Sequence, residues 1–192
     1  MTKNTKFLLA GAKSIKKYKF FALHSKKIVK INTFHSLCIY KAMLNSSEIL
    51  KYVAYTFPQA KADISGRNNE KGVAKFYDTP FGTVVEVEIS GLPDTKTGFF
   101  GMHIHSEGVC EGDFSSAGAH FGTGEHPLHT GDLPPLMSSH GNAYMISLTP
   151  RFSTRDIVGR SIIIHDSPDD FTTQPAGNSG KRIACGIVEQ GI

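Results

Sequence analysis

Thr83-Val84-Val85-Glu86-Val87-Glu88-Ile89 is the stretch that decides the fold class. Five of its seven residues are β-branched, and Glu86 and Glu88 alternate with Val85, Val87 and Ile89. Successive side chains of a strand point to opposite faces, so this segment presents one apolar and one charged face, as a half-buried strand does. Gly91-Leu92-Pro93 ends it. The same reading extends in both directions. Upstream, residues 60–65 alternate and stop at Gly66, and Val73–Tyr77 is a second short strand ended by Asp78-Thr79-Pro80. Downstream, the spacing predicts strands over 98–105, 142–149, 160–165 and 182–188, with a helical turn within 151–158. Many short strands separated by turn residues imply an all-β sandwich or barrel. Residues 106–141 and 166–181 are polar and glycine-rich, and read as two long loops on that scaffold. A loop as long as the first, inside a compact domain, is usually functional.

Composition bounds the rest. A chain of 192 residues, 40% hydrophobic and 20% charged, allows one globular domain and a tail. No apolar run is long enough for a membrane-spanning helix. The net charge of +4 is unevenly distributed: residues 1–47 hold 10 Lys and no acidic residue, while residues 48–192 hold 11 basic against 17 acidic residues, a net of −6. The reading is therefore a basic, poorly ordered extension (1–47) before an acidic folded domain (48–192). A basic arm can serve as an anchor for nucleic acid or a membrane surface, but a solvated extension, or a start at Met43, is the favoured reading, and no nucleic-acid partner is expected. Some helix is compatible with residues 13–31. The short apolar run Phe7–Ala12 is followed at once by lysines and does not read as a secretory signal, which favours the cytoplasm, with a transit peptide as a weaker reading.

Six of the nine histidines form a pattern running from His103 to His165, as His103-Ile104-His105, His120, His126-Pro127-Leu128-His129-Thr130-Gly131-Asp132, and His165. Imidazole suits zinc and copper. His103 and His105 are two apart on a predicted strand and so share a face. His120, His126, His129 and Asp132 make three nitrogens and one oxygen, a closed set of structural-zinc type. His103, His105, His120 and His165 make an all-nitrogen set that suits copper when one position stays open. Seven ligands suffice for two ions if His120 is shared. His24, His35 and His140 fall outside this pattern.

The combined text resembles the copper/zinc superoxide dismutases. The matching segments are Gly101–His105, Ala117–Phe121, His129–Leu133, Val158–His165, Asp169-Asp170 and Gly177–Gly186, spread over residues 60–190. The resemblance implies a Greek-key β-sandwich or flattened barrel with two long functional loops. It implies copper at His103, His105, His120 and His165, and zinc at His120, His126, His129 and Asp132, with His120 as the bridge. Asp169 would link a copper histidine to a zinc histidine, and Arg182 would stand beside the open copper position. Cys110 and Cys185 would form a disulfide, a pairing that the residues alone leave open. Cys38 reads as a free thiol. The implied reaction is disproportionation of superoxide to oxygen and hydrogen peroxide, an antioxidant activity, with His120 taking and returning a proton and Arg182 receiving the anion. Because the domain is acidic, Arg182 with Lys181 would form a local positive funnel. A homodimer is compatible with this reading.

Two features depart from the family pattern. His126 and His129 are only three apart and the family's Asn-Pro after the bridging histidine is missing, while the segment between Cys110 and His120 is long. The chief alternative function is a non-enzymatic copper/zinc-binding module or metal carrier. A zinc hydrolase is more distant, and would need Glu107, Glu111 or Glu125 as general base.

Overall fold

The computed structural model describes residues 56–191 together with Val53 and two strand dipeptides nearer the start. The chain divides into two units at Lys51/Tyr52. In the first unit, the described residues are β1 (Leu8–Leu9) and β2 (Lys30–Ile31), paired in parallel. The extension expected over 1–47 and the helix around 13–31 otherwise lie outside the described residues, as do His24, His35 and Cys38.

The second unit is almost entirely β. Its strands are β3 (Ala60–Gly66), β4 (Lys71–Thr79), β5 (Gly82–Ser90), β6 (Phe99–Phe100), β7 (Met102–His105), β8 (Leu136–Met137), β9 (Ala143–Thr149), β10 (Ser161–His165), β11 (Arg182–Ile187) and β12 (Glu189–Gln190). A curled antiparallel sheet runs in the order β7-β10-β11-β3-β4-β5-β9, with β12 added to β3, while β6 and β8 pair separately. Non-sequential neighbours such as β7 beside β10 make this a crossed-over β-sandwich rather than a simple meander. The turn expected within 151–158 is a single helical turn, α1 (Thr154–Ile157), whose N-terminus is closed by a reciprocal Ser153–Asp156 box.

Strand alternation places the core. Ala60, Ala62 and Ile64 of β3, Val85, Val87 and Ile89 of β5, Met102 and Ile104 of β7, and Ile162 and Ile164 of β10 all point into one apolar cluster. The intervening residues of β7 and β10 therefore face outward: His103, His105, Ser161, Ile163 and His165. On that outer face the long first loop packs as a second, smaller cluster of Phe114, Ala117, Ile163 and Cys185. The disulfide Cys110–Cys185 ties this loop to β11 across 5.8 Å between Cα atoms.

The strand expected over 98–105 is two strands. Gly101 interrupts it, donating its N–H to Ser167 O and accepting from His165 N, so β6 pairs with β8 while β7 pairs with β10. The β4–β5 hairpin is longer than local sequence suggests, because its ladder continues from Lys71↔Ser90 to Thr79↔Gly82.

Candidate metal centre

Sheet register assembles the first half of the centre. Ile163 of β10 lies between His103 of β7 and Cys185 of β11, and Ser161 lies opposite His105. At the end of β10 the register slips between Ile164 and His165, which sets His165 opposite Arg182. Such a bulge re-aims the side chains around it. The first loop then returns along β7. His105 and His120 form one isolated bridge and His103 and Asp132 another, and the Ile104 main chain bonds Gly131 O and Phe121 N. This approach requires Gly131, where a Cβ would lie 2.2 Å from the Ile104 carbonyl oxygen. The result is two donor groups: His103, His105, His120 and His165; and His120, His126, His129 and Asp132. Within each group the ligand-capable atoms lie within 4.8 Å of one another, and His120 belongs to both.

Hydrogen bonding decides which nitrogen of each ring is free. Asp169 accepts from His103 Nε2 at 2.7 Å and His126 Nε2 at 2.8 Å. His105 Nδ1 donates to Gly118 O at 2.9 Å, and His165 Nδ1 donates to Gly180 O at 3.3 Å. A carbonyl or an ionised carboxylate can only accept, so each of these ring nitrogens carries the hydrogen. The opposite nitrogen of each neutral ring then holds a bare lone pair. Those nitrogens are His103 Nδ1, His126 Nδ1, His105 Nε2 and His165 Nε2, and all four are buried with no hydrogen-bond partner. His120 Nε2 is likewise unpartnered, while His120 Nδ1 meets Asp132 Oδ1 at 2.7 Å. Five buried nitrogens without a hydrogen bond, of which His126 Nδ1 lies 3.3 Å from Asp132 Oδ2, would be costly in an ordinary core. They fit metal ions, since a coordinated imidazole normally donates its second N–H to an outer carboxylate or carbonyl.

Protonation follows the same logic. Burial pushes His105 down to about 2 and His165 down to about 3. Burial also lowers His103, outweighing the opposing Asp169 hydrogen bond. These rings are neutral, as ligands must be. Burial works to raise Asp132, but the hydrogen bond and charge of His120, with His126 and His103, win and hold it at about 2. Asp169 is also lowered: hydrogen bonds from His103, the Phe171 amide and His126 outweigh its burial.

Arg182 flanks the all-nitrogen group. Its Nη1 donates to Phe114 O at 2.5 Å and its Nη2 to Gly118 O at 2.6 Å. Gly118 O also accepts from His105 Nδ1, so one carbonyl links the guanidinium to a donor ring. The disulfide pins the loop that supplies both carbonyls. Lys181 is exposed next to Arg182. Glu107, Glu111 and Glu125 are all exposed, and none of them is in either donor group.

Sequence reading alone misses three contributors. Gln174 and Arg151 bind the main chain around His126 and His129. Gly177, at φ +61°, packs where a Cβ would lie 2.1 Å from Asp169 Oδ1 and 2.6 Å from His126 Nε2. Only Gly177 carried a signal, as part of a matched segment.

Comparison with known proteins agrees with this geometry. The family profile described as copper/zinc superoxide dismutase (SODC) matches residues 70–188. Superoxide dismutase [Cu-Zn] 1 of Aquifex aeolicus is 37% identical over 147 residues, covering 67% of this chain and 86% of that protein. The copper chaperone for superoxide dismutase of Homo sapiens is 31% identical over 145 residues, 67% of this chain and 52% of that protein. The crystal structure of a double mutant of a SOD-like protein from Bacillus subtilis superposes with a TM-score of 0.60 at 29% identity, covering 68% of this chain and 96% of that one.

Proposed function

The chain belongs to the copper/zinc superoxide dismutase family, and from that premise we propose that it is an active superoxide dismutase. The proposed reaction converts two superoxide anions and two protons to one oxygen and one hydrogen peroxide. Copper is assigned to His103, His105, His120 and His165, and zinc to His120, His126, His129 and Asp132. The observation that carries the reading is the set of buried ring nitrogens left bare while their opposite nitrogens are tied to Asp169, Gly118 O and Gly180 O. Copper bound there supplies one-electron oxidation and reduction, and zinc supplies charge without redox activity.

The chain's own residues do the rest. Asp169, Gly118 O and Gly180 O fix four tautomers before any ion arrives, so no ring has to reorient on loading. Arg182 has five N–H donors and uses two on Phe114 O and Gly118 O. That holds the guanidinium beside His105 and leaves donors and a full positive charge for a small anion. His120 Nε2 is the atom that takes a proton in one half of the cycle and gives it up in the other. Its ring stays in place meanwhile because Nδ1 faces Asp132.

The match to a copper chaperone raises a second reading, a domain that carries copper without turnover. The Arg182 fork favours the enzyme, since metal transfer needs no fixed cation for an anionic substrate. Metal analysis combined with a superoxide pulse separates the two. The enzyme reading expects one copper and one zinc per chain and catalysed decay of superoxide. It expects His165→Ala to lose copper and activity while retaining zinc. A fully loaded protein that leaves the spontaneous decay unchanged would establish the carrier instead.

A further inference from the structure

His126 is followed by only Pro127 and Leu128 before His129, and Leu128 is exposed. Neither His126 nor His129 lies on a strand, so no sheet ladder sets the direction of these two rings. Other contacts take the place of the ladder. The side-chain amide of Gln174 pairs with His126 at two points: Oε1 accepts from the His126 N–H at 2.9 Å, and Nε2 donates to the His126 carbonyl at 2.7 Å. Both main-chain groups of His126 are thereby met by one side chain, 48 residues away in sequence. Arg151 completes the grip, its Nη1 donating to the carbonyls of Pro127 at 2.7 Å and His129 at 2.9 Å.

Gln174 is itself held in place. Asp170 closes the turn before it, accepting from the N–H groups of Thr172 at 2.9 Å and Thr173 at 2.8 Å and from Thr173 Oγ1 at 2.6 Å. Gly177 N donates to Thr173 O at 2.7 Å. The same loop carries Asp169, which takes the His126 ring. One loop thus grips His126 by its ring through Asp169 and by its backbone through Gln174.

We propose that Gln174, assisted by Arg151, is a positioning residue for the zinc half of the centre: it substitutes a side-chain amide for the missing strand partner of His126. The inference rests on the zinc assignment above. The physical reason is pre-organisation. An imidazole whose main chain is held at both its donor and its acceptor has little freedom to turn its Nδ1 away from His120, His129 and Asp132. Removing the amide returns that freedom to the empty site, and zinc must then order the loop as it binds.

The test uses the full chain and measures zinc affinity by chelator competition. Cobalt(II) absorption serves as a spectroscopic probe of the same site. Gln174→Met keeps length and loses both bonds. Gln174→Glu keeps the acceptor for His126 N–H but turns a carboxylate oxygen toward the His126 carbonyl. Arg151→Met removes the outer grip. Loss of partners that orient ligands typically costs 10–100-fold in metal affinity, and about tenfold weaker zinc is expected for each Gln174 variant. The cobalt spectrum should be altered and copper affinity should match wild type. Asp132→Ala is the control for the underlying assignment: if it binds zinc as wild type does, the zinc assignment itself is wrong. If Asp132→Ala loses zinc while both Gln174 variants and Arg151→Met keep wild-type zinc affinity and cobalt spectra, the positioning role is overturned. Equal loss of copper and zinc in the Gln174 variants also overturns it, because that is general loosening. Should Gln174→Met fail to fold, Gln174→Glu decides the matter by the same two measurements.

Discussion

Replacing Asp169 by Asn should separate the two halves of the centre, and the direction can be worked out from the hydrogen bonds. Oδ1 accepts from His126 Nε2 at 2.8 Å and from the Phe171 N–H at 2.7 Å, while Oδ2 accepts only from His103 Nε2 at 2.7 Å. Asn has one carbonyl oxygen and one NH₂. The oxygen belongs at the Oδ1 position, because the Phe171 amide is a donor that cannot change role. The NH₂ then faces His103 Nε2. In the metal-free protein His103 is expected to escape the clash by changing tautomer, moving its hydrogen to Nδ1, the nitrogen that the proposed assignment gives to copper. Copper binding has to reverse that change and set two donors against each other. A buried donor left without an acceptor costs about 1–3 kcal/mol, which is roughly 5- to 150-fold in a binding constant at 1.4 kcal/mol per tenfold. Asp169→Asn should therefore weaken copper by about 10- to 100-fold and leave zinc close to wild type. Asp169→Ala, which abandons both rings, should weaken both ions. Chelator competition for each metal checks the affinities, and ¹⁵N shifts of the metal-free protein check the His103 tautomer. If Asp169→Asn loses zinc while copper is unchanged, the tautomer argument fails.

Three further outcomes follow from the same contacts. Arg182→Glu should cost far more activity than Arg182→Lys with copper bound in both, and added salt should slow the wild type, since screening reaches about 8 Å at physiological ionic strength; turnover indifferent to both would remove Arg182 from the substrate path. Cys185→Ser opens a link between residues 75 apart, which on the chain-entropy model lowers stability by up to about 4–5 kcal/mol; an unchanged denaturation midpoint would contradict this. In the metal-free protein the folded-state pKa values of His103, His105 and His165 lie below the unfolded value of about 6.5, so below that pH the unfolded chain takes up protons that the folded chain refuses. Stability should be fully present above pH ~6.5 and fall by up to ~1.4 kcal/mol per pH unit for each ring as pH drops toward about 3; a urea midpoint that is flat between pH 7.5 and 5 would refute it.

The fold was legible where alternation is strict. Val85, Val87 and Ile89 announce an inward face, and the structure buries all three in the main core. What alternation could not reveal was the break at Gly101, because its cause is a pair of main-chain bonds to His165 and Ser167, residues more than sixty positions later. Hairpin lengths were underestimated for a related reason: Lys71 and Thr79 are strand residues because Ser90 and Gly82 stand opposite them, not through their own propensity. In the metal centre, the donors stood out because imidazoles and carboxylates are chemically distinctive and spaced unlike surface residues. The groups that orient them did not stand out. Gly118 O, Gly180 O and Phe114 O are main-chain atoms with no residue identity, and Gln174 and Arg151 are ordinary polar residues until the fold brings them to His126 and His129.

On the proposed assignment, Asp169 also explains why a defect on the zinc side need not spread to the copper side. Its carboxylate touches His103 and His126, so it is an obvious route for strain between the two halves. Yet Oδ1 is also tied to the Phe171 main chain, and the Asp170 N–H donates to Gly177 O at 2.9 Å. The carboxylate is thus anchored to its own loop independently of either ring. A shift of the His126 backbone, such as losing Gln174 would allow, stretches one of three bonds to Asp169 while the other two hold it in place. His103 consequently keeps its partner. Within the side chains that bridge the halves, this leaves His120 as the member common to both donor groups and without such an anchor on Nε2. The proton transfer proposed for His120 Nε2 requires that freedom, whereas the roles proposed for the rings fixed by Asp169 require the opposite.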